Sequence, residues 1–139
     1  MGNVIWQPQY SVDVKIIDLQ HQKLFSILNT LYDEIHGKSN DNASMPAVEN
    51  ALLDLKTYVA FHFAEEEKFF KKFQYEKAVE HAAQHHIYAE KINELHDRYL
   101  NGETDMENEI INFLDEWILN HINIADKQYT KCFHEHGLF

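Results

Sequence analysis

Residues 52–69 read LLDLKTYVAFHFAEEEKF, and the apolar side chains of this segment recur every three or four positions. This spacing places them on one face of an α-helix, so the segment is predicted to pack that face against a core. A histidine and a glutamate stand in the stripe where leucine would be expected. The stripe consists of Leu52, Leu55, Val59, His62, Glu66 and Phe69.

Three other segments carry the same helical spacing, and histidine interrupts each of them. Their stripes are His21, Leu24, Leu28, Leu31 and Ile35; Ala78, His81, His85, Tyr88, Ile92, Leu95 and Tyr99; and Ile110, Leu114, Trp117, His121 and Ile124. Burying so many polar groups in one small core costs on the order of several kcal/mol each unless a partner satisfies them. A metal site is the economical explanation.

Turn and capping residues divide the chain into four helices. The predicted helices are A, from Asp13 or Asp18 to His36; B, from Ser44, with Pro46 in the first turn, to about Lys72; C, from 76 to 100; and D, roughly from 106 to 133. Gly37 is a helix-ending residue, a polar loop covers residues 38–45, and Thr104 or Asp105 caps helix D. Short links favour antiparallel neighbours. We therefore predict an all-α, up-down-up-down antiparallel four-helix bundle with an N-terminal arm, forming a single domain over residues 1–139.

In such a bundle, the starts of helices A and C adjoin the ends of helices B and D. The interrupting residues of A and C lie near the helix starts, and those of B and D lie in the second halves, so they converge at one level. The converging residues are His21, His62, Glu66, His81, His85 and His121. Five imidazoles and a carboxylate exceed the four ligands of a typical structural zinc site, so two metal ions or one expanded site are considered.

The spacing also separates ligands from bystanders. His85 lies about 40° round the helix from His81, whereas His86 lies about 140° away, so we assign His85 to the site. Glu65 and Glu67 flank the stripe by about 100° on either side and are predicted to be solvated. The other histidines, predicted to lie on the surface, are His36, His96, His134 and His136.

Composition restricts the partners and the compartment. The charge of −11, from 12 basic and 23 acidic residues, disfavours nucleic acid as a partner. No apolar run reaches the roughly 18 residues of a membrane span, and the N-terminus lacks the basic and apolar segments of a signal peptide. The single cysteine, Cys132, fits a reducing compartment. We expect a cytoplasmic monomer that does not insert into membranes.

Four segments of the chain resemble the signature segments of hemerythrins, of the bacterial single-domain kind. They are Asp18-Leu19-Gln20-His21, His62-Phe63-Ala64-Glu65-Glu66, His81-x-x-x-His85 and Trp117-x-x-x-His121-Ile122-x-x-x-Asp126. Trp6 and the segment Tyr10-Ser11-Val12 also resemble the start of that family. The resemblance spans nearly the whole chain.

The resemblance implies a non-haem di-iron centre. One iron (Fe2+/Fe3+) would be held by His81, His85 and His121 and the other by His21 and His62, with Glu66, Asp126 and an oxo or hydroxo group bridging the pair. The second iron then has one ligand fewer, which leaves a coordination position open. Asp126 comes from the resemblance alone. It follows His121 by five residues, about 140° round an ideal helix, so it must reach across helix D or the helix must unwind locally.

The resemblance also implies reversible dioxygen binding at the open position, for oxygen storage, transport or delivery, with an oxygen-consuming enzyme as recipient. Such a protein is not an enzyme, although weak oxidase or peroxidase activity is compatible with it. The sequence lacks the Glu-x-x-His pairs of oxygen-activating bundles, which favours binding over oxidation. Residues expected to line an apolar oxygen pocket are Trp117, Ile118, Ile122, Phe25 and Phe63.

Three alternatives stay open from the sequence. The same domain could sense oxygen or redox state through a partner protein. It could also act as a di-iron enzyme or iron-handling protein on peroxide, nitric oxide or labile iron. The third alternative is a purely structural metal bundle that holds zinc.

Overall fold

Residues 5–36 and 45–139 are described by the computed structural model, and within these ranges four helical rods run antiparallel to their neighbours. A 3-10 turn at Pro8–Tyr10 precedes them. The first three rods are α1 at Lys15–Ile35, α2 at Met45–Phe73 and α3 at Ala78–Leu100. The fourth rod combines α4 at Glu107–Trp117, a π-helix at Ile118–Ala125, a 3-10 turn at Asp126–Tyr129 and α5 at Thr130–Glu135. The predicted all-α four-helix bundle is confirmed.

The predicted N-terminal arm is present and packs on α1. Trp6 and Tyr10 place their rings 5.5 Å and 5.0 Å from the ring of Phe25. Asp18, in the first turn of α1, accepts a hydrogen bond of 2.6 Å from the Ser11 hydroxyl. These contacts fix the path by which the chain enters the bundle.

Two apolar clusters fill the interior, and a polar layer separates them. The larger cluster draws buried aliphatic and aromatic residues from all four rods. The buried residues of the smaller cluster are Val12, Val14, Ile17, Phe70, Phe73, Tyr75, Tyr129 and Phe133. In α1, His21 lies between Ile17 of the smaller cluster and Leu24 of the larger one. The polar layer is therefore enclosed by hydrocarbon above and below.

The fourth rod departs from the single helix predicted over residues 106–133. α4 gives way after Trp117 to a π-helix, in which backbone hydrogen bonds span five residues instead of four. The extra residue in the turn rotates the side chains that follow. Ile124, predicted on the core face, is therefore 57% exposed, and Ala125 is buried in its place.

Helix boundaries differ in detail from the predicted ones. α1 begins at Lys15, between the two predicted start residues. Met45, predicted at the end of a loop, is the first residue of α2. Gly37, Ser44 and the rest of the predicted loop, residues 38–44, lie outside the described residues.

Two predictions about side chains at the far end of the bundle are wrong. α4 follows Met106 without a side-chain hydrogen bond to its first turn, so neither Thr104 nor Asp105 caps it. His96 was predicted on the surface and is buried, because it lies four residues after Ile92 and shares the inward face of α3.

In the described part of the chain, each helix is too short or too polar to cross a membrane.

Candidate metal centre

Buried side chains from all four rods meet in the polar layer. α1 contributes one histidine, α2 a histidine and a glutamate four residues later, and α3 two histidines four residues apart. The fourth rod contributes a histidine and an aspartate. These residues are His21, His62, Glu66, His81, His85, His121 and Asp126. The structure thus brings together every residue that the sequence and the resemblance nominated as a metal ligand.

The nitrogens and oxygens form two overlapping groups. In each group, the possible ligand atoms all lie within 4.8 Å of one another. The first group contains Glu66, His81, His85, His121 and Asp126, and the second contains His21, His62, Glu66 and Asp126. The two carboxylates are common to both groups.

Asp126 divides its two oxygens between the groups. Its Oδ1 lies 2.9 Å from Nε2 of His81 and 2.8 Å from Nε2 of His121. Its Oδ2 lies 3.0 Å from Nε2 of His21. Oδ1 of Asp126 therefore faces the group with three histidines, and Oδ2 faces the group with two.

Glu66 contacts both groups through a single oxygen. Its Oε1 lies 3.1 Å from Nε2 of His85 and 3.4 Å from Nε2 of His62. The second oxygen, Oε2, accepts a hydrogen bond from the hydroxyl of Tyr129. Glu66 is therefore anchored on its outer side and presents Oε1 to the centre of the layer.

The π-helix brings Asp126 to the same side of the fourth rod as His121. The backbone N–H of Asp126 donates to the carbonyl of His121, five residues earlier. A turn of this kind aligns residues five apart, whereas an α-helix aligns residues four apart. The helix unwinds locally, and Asp126 faces the same interior as His121.

Burial and charge set the protonation states of the site. Burial and the charge of Asp126 raise the pKa of Glu66, but the imidazoles of His62 and His85 outweigh both and hold it at about 2. Burial also opposes ionisation of Asp126, yet the surrounding imidazoles, His121 first, bring its pKa well below the usual value. Burial lowers the pKa of His62 to about 4, against the pull of Glu66. Two anions and a neutral nitrogen donor are the states that metal binding requires.

Several buried atoms at the centre of the layer lack a well-aligned hydrogen bond. They include both oxygens of Asp126, Oε1 of Glu66, and Nε2 of His81, His85 and His121. Leaving buried polar atoms unpaired is costly, and burying unpaired anions is costlier still. Cations within the layer would pair with all of these atoms at once, so the residues present fit a metal centre.

A second set of side chains holds the histidines from outside. Oε1 of Gln20 lies 2.7 Å from Nδ1 of His62, and Oε1 of Gln84 lies 3.1 Å from Nδ1 of His121. Such partners fix the ring orientation and the tautomer of a metal-binding histidine. Sequence reasoning did not single out either glutamine, because an outer hydrogen bond leaves no trace in a hydrophobic stripe.

Glu67 also belongs to this outer set, which corrects the prediction that it is merely solvated. Its Oε2 lies 2.8 Å from Nδ1 of His85. Glu65, on the other side of Glu66, pairs instead with Lys68 at 3.9 Å. The difference arises because the side chain at position 67, but not at 65, turns towards α3.

The remaining histidines lie away from the polar layer. His86 is exposed and pairs with Glu90 at 3.1 Å, which agrees with the choice of His85 rather than His86 for the site. His36 and His136 are exposed, and Nε2 of His134 lies 2.7 Å from the carbonyl oxygen of Asp13.

Aromatic and aliphatic residues cover the side of the site next to the larger cluster. Trp117, Ile118, Ile122, Phe25 and Phe63 are all buried there. Phe63 stacks on the ring of His85 with 3.8 Å between centroids and 5° between planes. The ring of Trp117 lies 5.9 Å from that of Phe63. This side of the histidine cluster is apolar.

Comparisons with known proteins agree on one family. Residues 12–132 match the profile of the hemerythrin HHE cation binding domain. A bacteriohemerythrin of Pseudomonas paraeruginosa is 28% identical over 130 residues, which cover 94% of this chain and 81% of that protein. A bacteriohemerythrin of Clostridium acetobutylicum is 26% identical over 126 residues, which cover 90% and 97%. A crystal structure of wild-type hemerythrin matches with a TM-score of 0.82 and 26% identity, covering 93% of this chain and 96% of that one.

Replacing His121 tests the histidine assignment. We predict that His121→Ala loses bound metal and about 3–5 kcal/mol of unfolding free energy, because Asp126 stays buried with one partner fewer. The control is His86→Ala, which removes an exposed ring and should change the free energy by less than about 0.5 kcal/mol. Metal per chain and the thermal unfolding midpoint measure both effects. Equal metal content in the two variants would contradict the assignment.

Deleting one residue tests the role of the π-helix. Removing the exposed Ile124 leaves Asp126 four residues after His121, a spacing that an ordinary α-helix aligns. We therefore predict that this deletion variant keeps its metal. Deleting the exposed Glu116 from α4 should abolish metal binding, because it turns His121 by about 100° relative to the core face of α4. Metal loss after the first deletion, or retention after the second, would refute this account.

Proposed function

Because the chain belongs to the hemerythrin family, we propose that it holds two iron ions and binds dioxygen reversibly through them. The observation that carries this proposal is the inequality of the two ligand groups. Both groups share the same two carboxylates, but one has three histidines and the other has two. The two-histidine iron therefore has a coordination position to offer an external ligand.

The proposed ligands follow the two groups. His81, His85 and His121 would hold one iron, His21 and His62 the other, and Glu66 and Asp126 would bridge them, together with an oxo or hydroxo group. When bound, the iron pair supplies electrons that can be shared reversibly with dioxygen.

Tyr129 keeps the bridging glutamate in one orientation. Its hydroxyl donates to Oε2 of Glu66, and both side chains are fully buried. Burial and the charge of Glu66 raise the pKa of Tyr129 well above its usual value, so the hydroxyl keeps its proton. This hydrogen bond holds the carboxylate so that Oε1 faces the histidines.

The apolar side of the site would serve as the oxygen pocket. We assign this role to Trp117, Ile118, Ile122, Phe25 and Phe63, which are buried in the larger apolar cluster, where Phe63 stacks on the ring of His85. A small neutral ligand enters such a pocket more readily than water or an anion, because ions and polar molecules lose hydration there. Exclusion of water and anions also slows the loss of electrons from iron to solvent.

The donor set favours ligand binding over oxidation of a substrate. Its nitrogens come from five histidines, whereas oxygen-activating bundles rely mostly on carboxylates. Neutral imidazoles stabilise highly charged iron less than carboxylates do. We therefore propose an oxygen store or carrier that delivers to an oxygen-consuming enzyme. Its cytoplasmic location, its monomeric state and its single domain over residues 1–139 stay predictions.

The decisive experiment measures iron and colour together. Protein produced with ample iron should contain about two irons per chain, and its reduced form should change its visible spectrum in air and recover when oxygen is removed. Protein that carries no iron, or a spectrum that ignores oxygen, would refute the proposal. A colourless zinc protein would point to a structural metal bundle, and steady turnover of peroxide or nitric oxide would point to an enzyme.

Trp117→Ala tests the dry pocket. We predict that this variant loses its oxygen-bound spectrum to irreversible oxidation roughly tenfold faster, which corresponds to about 1.4 kcal/mol in the barrier. The control is Phe113→Ala, which removes a ring stacked 6.4 Å from Trp117 on the side away from the proposed pocket. Equal oxidation rates in the wild type and Trp117→Ala would rule out the assigned role.

A further inference from the structure

The carboxylate of Glu67 lies at the solvent edge and contacts a buried histidine. Its side chain is 42% exposed, whereas that of His85 is 2% exposed. The two are joined by the contact of 2.8 Å between Oε2 of Glu67 and Nδ1 of His85. Glu67 is thus outside the group of candidate ligands but linked directly to one of them.

Three residues of α2 hold the His85 ring in a single orientation. Phe63 stacks on its face at 3.8 Å, and Oε1 of Glu66 lies 3.1 Å from its Nε2. Glu67, four residues after Phe63 and on the same side of the helix, takes the opposite nitrogen. Because Nδ1–H donates to Glu67, the lone pair of Nε2 points into the centre of the layer.

The other outer partners are neutral amides. Gln20 contacts His62 and Gln84 contacts His121, each through Oε1. A carboxylate makes a stronger hydrogen bond with an imidazole N–H than an amide does, and it makes the ring a better electron donor. His85 is therefore the most electron-rich of these three rings.

We propose that Glu67 is a positioning residue that lowers the reduction potential of the iron held by His81, His85 and His121. This inference rests on the proposed iron centre. An electron-rich imidazole stabilises ferric iron more than ferrous iron. The iron held by three histidines, which has its full set of ligands, would therefore release an electron more easily than the iron held by two.

The test is Glu67→Gln, which keeps the size of the side chain and an acceptor oxygen but removes the charge. We expect unchanged iron content and a higher midpoint potential in a spectroelectrochemical titration. A tenfold loss of preference for ferric iron corresponds to about 59 mV for one electron. The matched control is Glu65→Gln, which removes the same charge two residues away, where the carboxylate pairs with Lys68. A shift of equal size in both variants, or no shift in Glu67→Gln, would overturn the proposal.

A second variant keeps the proposal testable if Glu67→Gln fails to fold. Gln84→Glu places a carboxylate at Nδ1 of His121, another ring of the same group, and should lower the midpoint potential. An unchanged potential would count against tuning through the outer hydrogen bond. A purely structural role for Glu67 would lower the unfolding temperature of its variants and leave the potential unmoved.

Titration of the metal-free protein with Co2+ separates this inference from the oxygen-binding proposal. Glu67→Ala should weaken Co2+ binding by roughly 10–100-fold, as is usual for loss of an outer partner of a metal-binding histidine. Glu65→Ala should leave it unchanged. If the wild type holds iron but ignores oxygen, the proposed function fails, while the potential and the Co2+ affinity still decide the role of Glu67.

Discussion

Two fully buried carboxylates, each shared between two sets of histidines, govern the whole structure. Glu66 and Asp126 have no lysine or arginine beside them in the described part of the chain, and the groups that face them are imidazoles and a tyrosine hydroxyl. Two anions enclosed by hydrocarbon on both sides are tolerable only with compensating cations. The polar layer therefore requires that all four rods meet in one register.

This requirement explains how the bundle is layered. A shift of any rod by one residue would turn its histidine by about 100° and move the imidazole away from the centre of the polar layer. The smaller apolar cluster, with Phe70, Tyr129 and Phe133, closes the layer at one end, and the larger cluster closes it at the other. The arm holds the smaller cluster in place, since the hydroxyl of Thr130 donates to the carbonyl of Val12 at 2.7 Å. Packing on both sides thus fixes the positions of the ligand atoms.

Much of this arrangement could be predicted from the sequence, because histidine at a leucine position is a strong local signal. The pairs His62 with Glu66 and His81 with His85 follow from a spacing of four on one helix face. Asp126 could not be predicted from this spacing, since the π-helix just before it changes the number of residues per turn within the apolar stripe. The same turn explains why Ile124 was misplaced.

Other features escaped because they depend on tertiary contacts. Glu65 and Glu67 are equivalent by helical geometry, yet α3 lies against one and Lys68 against the other. His96 looked like a surface residue because it falls outside the stripe of Ile92, Leu95 and Tyr99, and its burial follows from the position of α3 in the bundle. Hydrogen bonds between helices, such as that between Gln84 and His121, likewise cannot be predicted until the packing of the two helices is known.

Charge balance connects these details with the proposed chemistry. In the proposed iron centre, oxidation of both ferrous ions to ferric ions would raise the net charge of the layer by two units. In a dry interior that increase is costly, because little solvent responds to it. The neutral amides of Gln20 and Gln84 do not reduce this cost. The negative charge of Glu67, next to His85, offsets part of the added positive charge. Electrons drawn towards a ligand would thus return when the ligand leaves, which is the property that reversible binding needs.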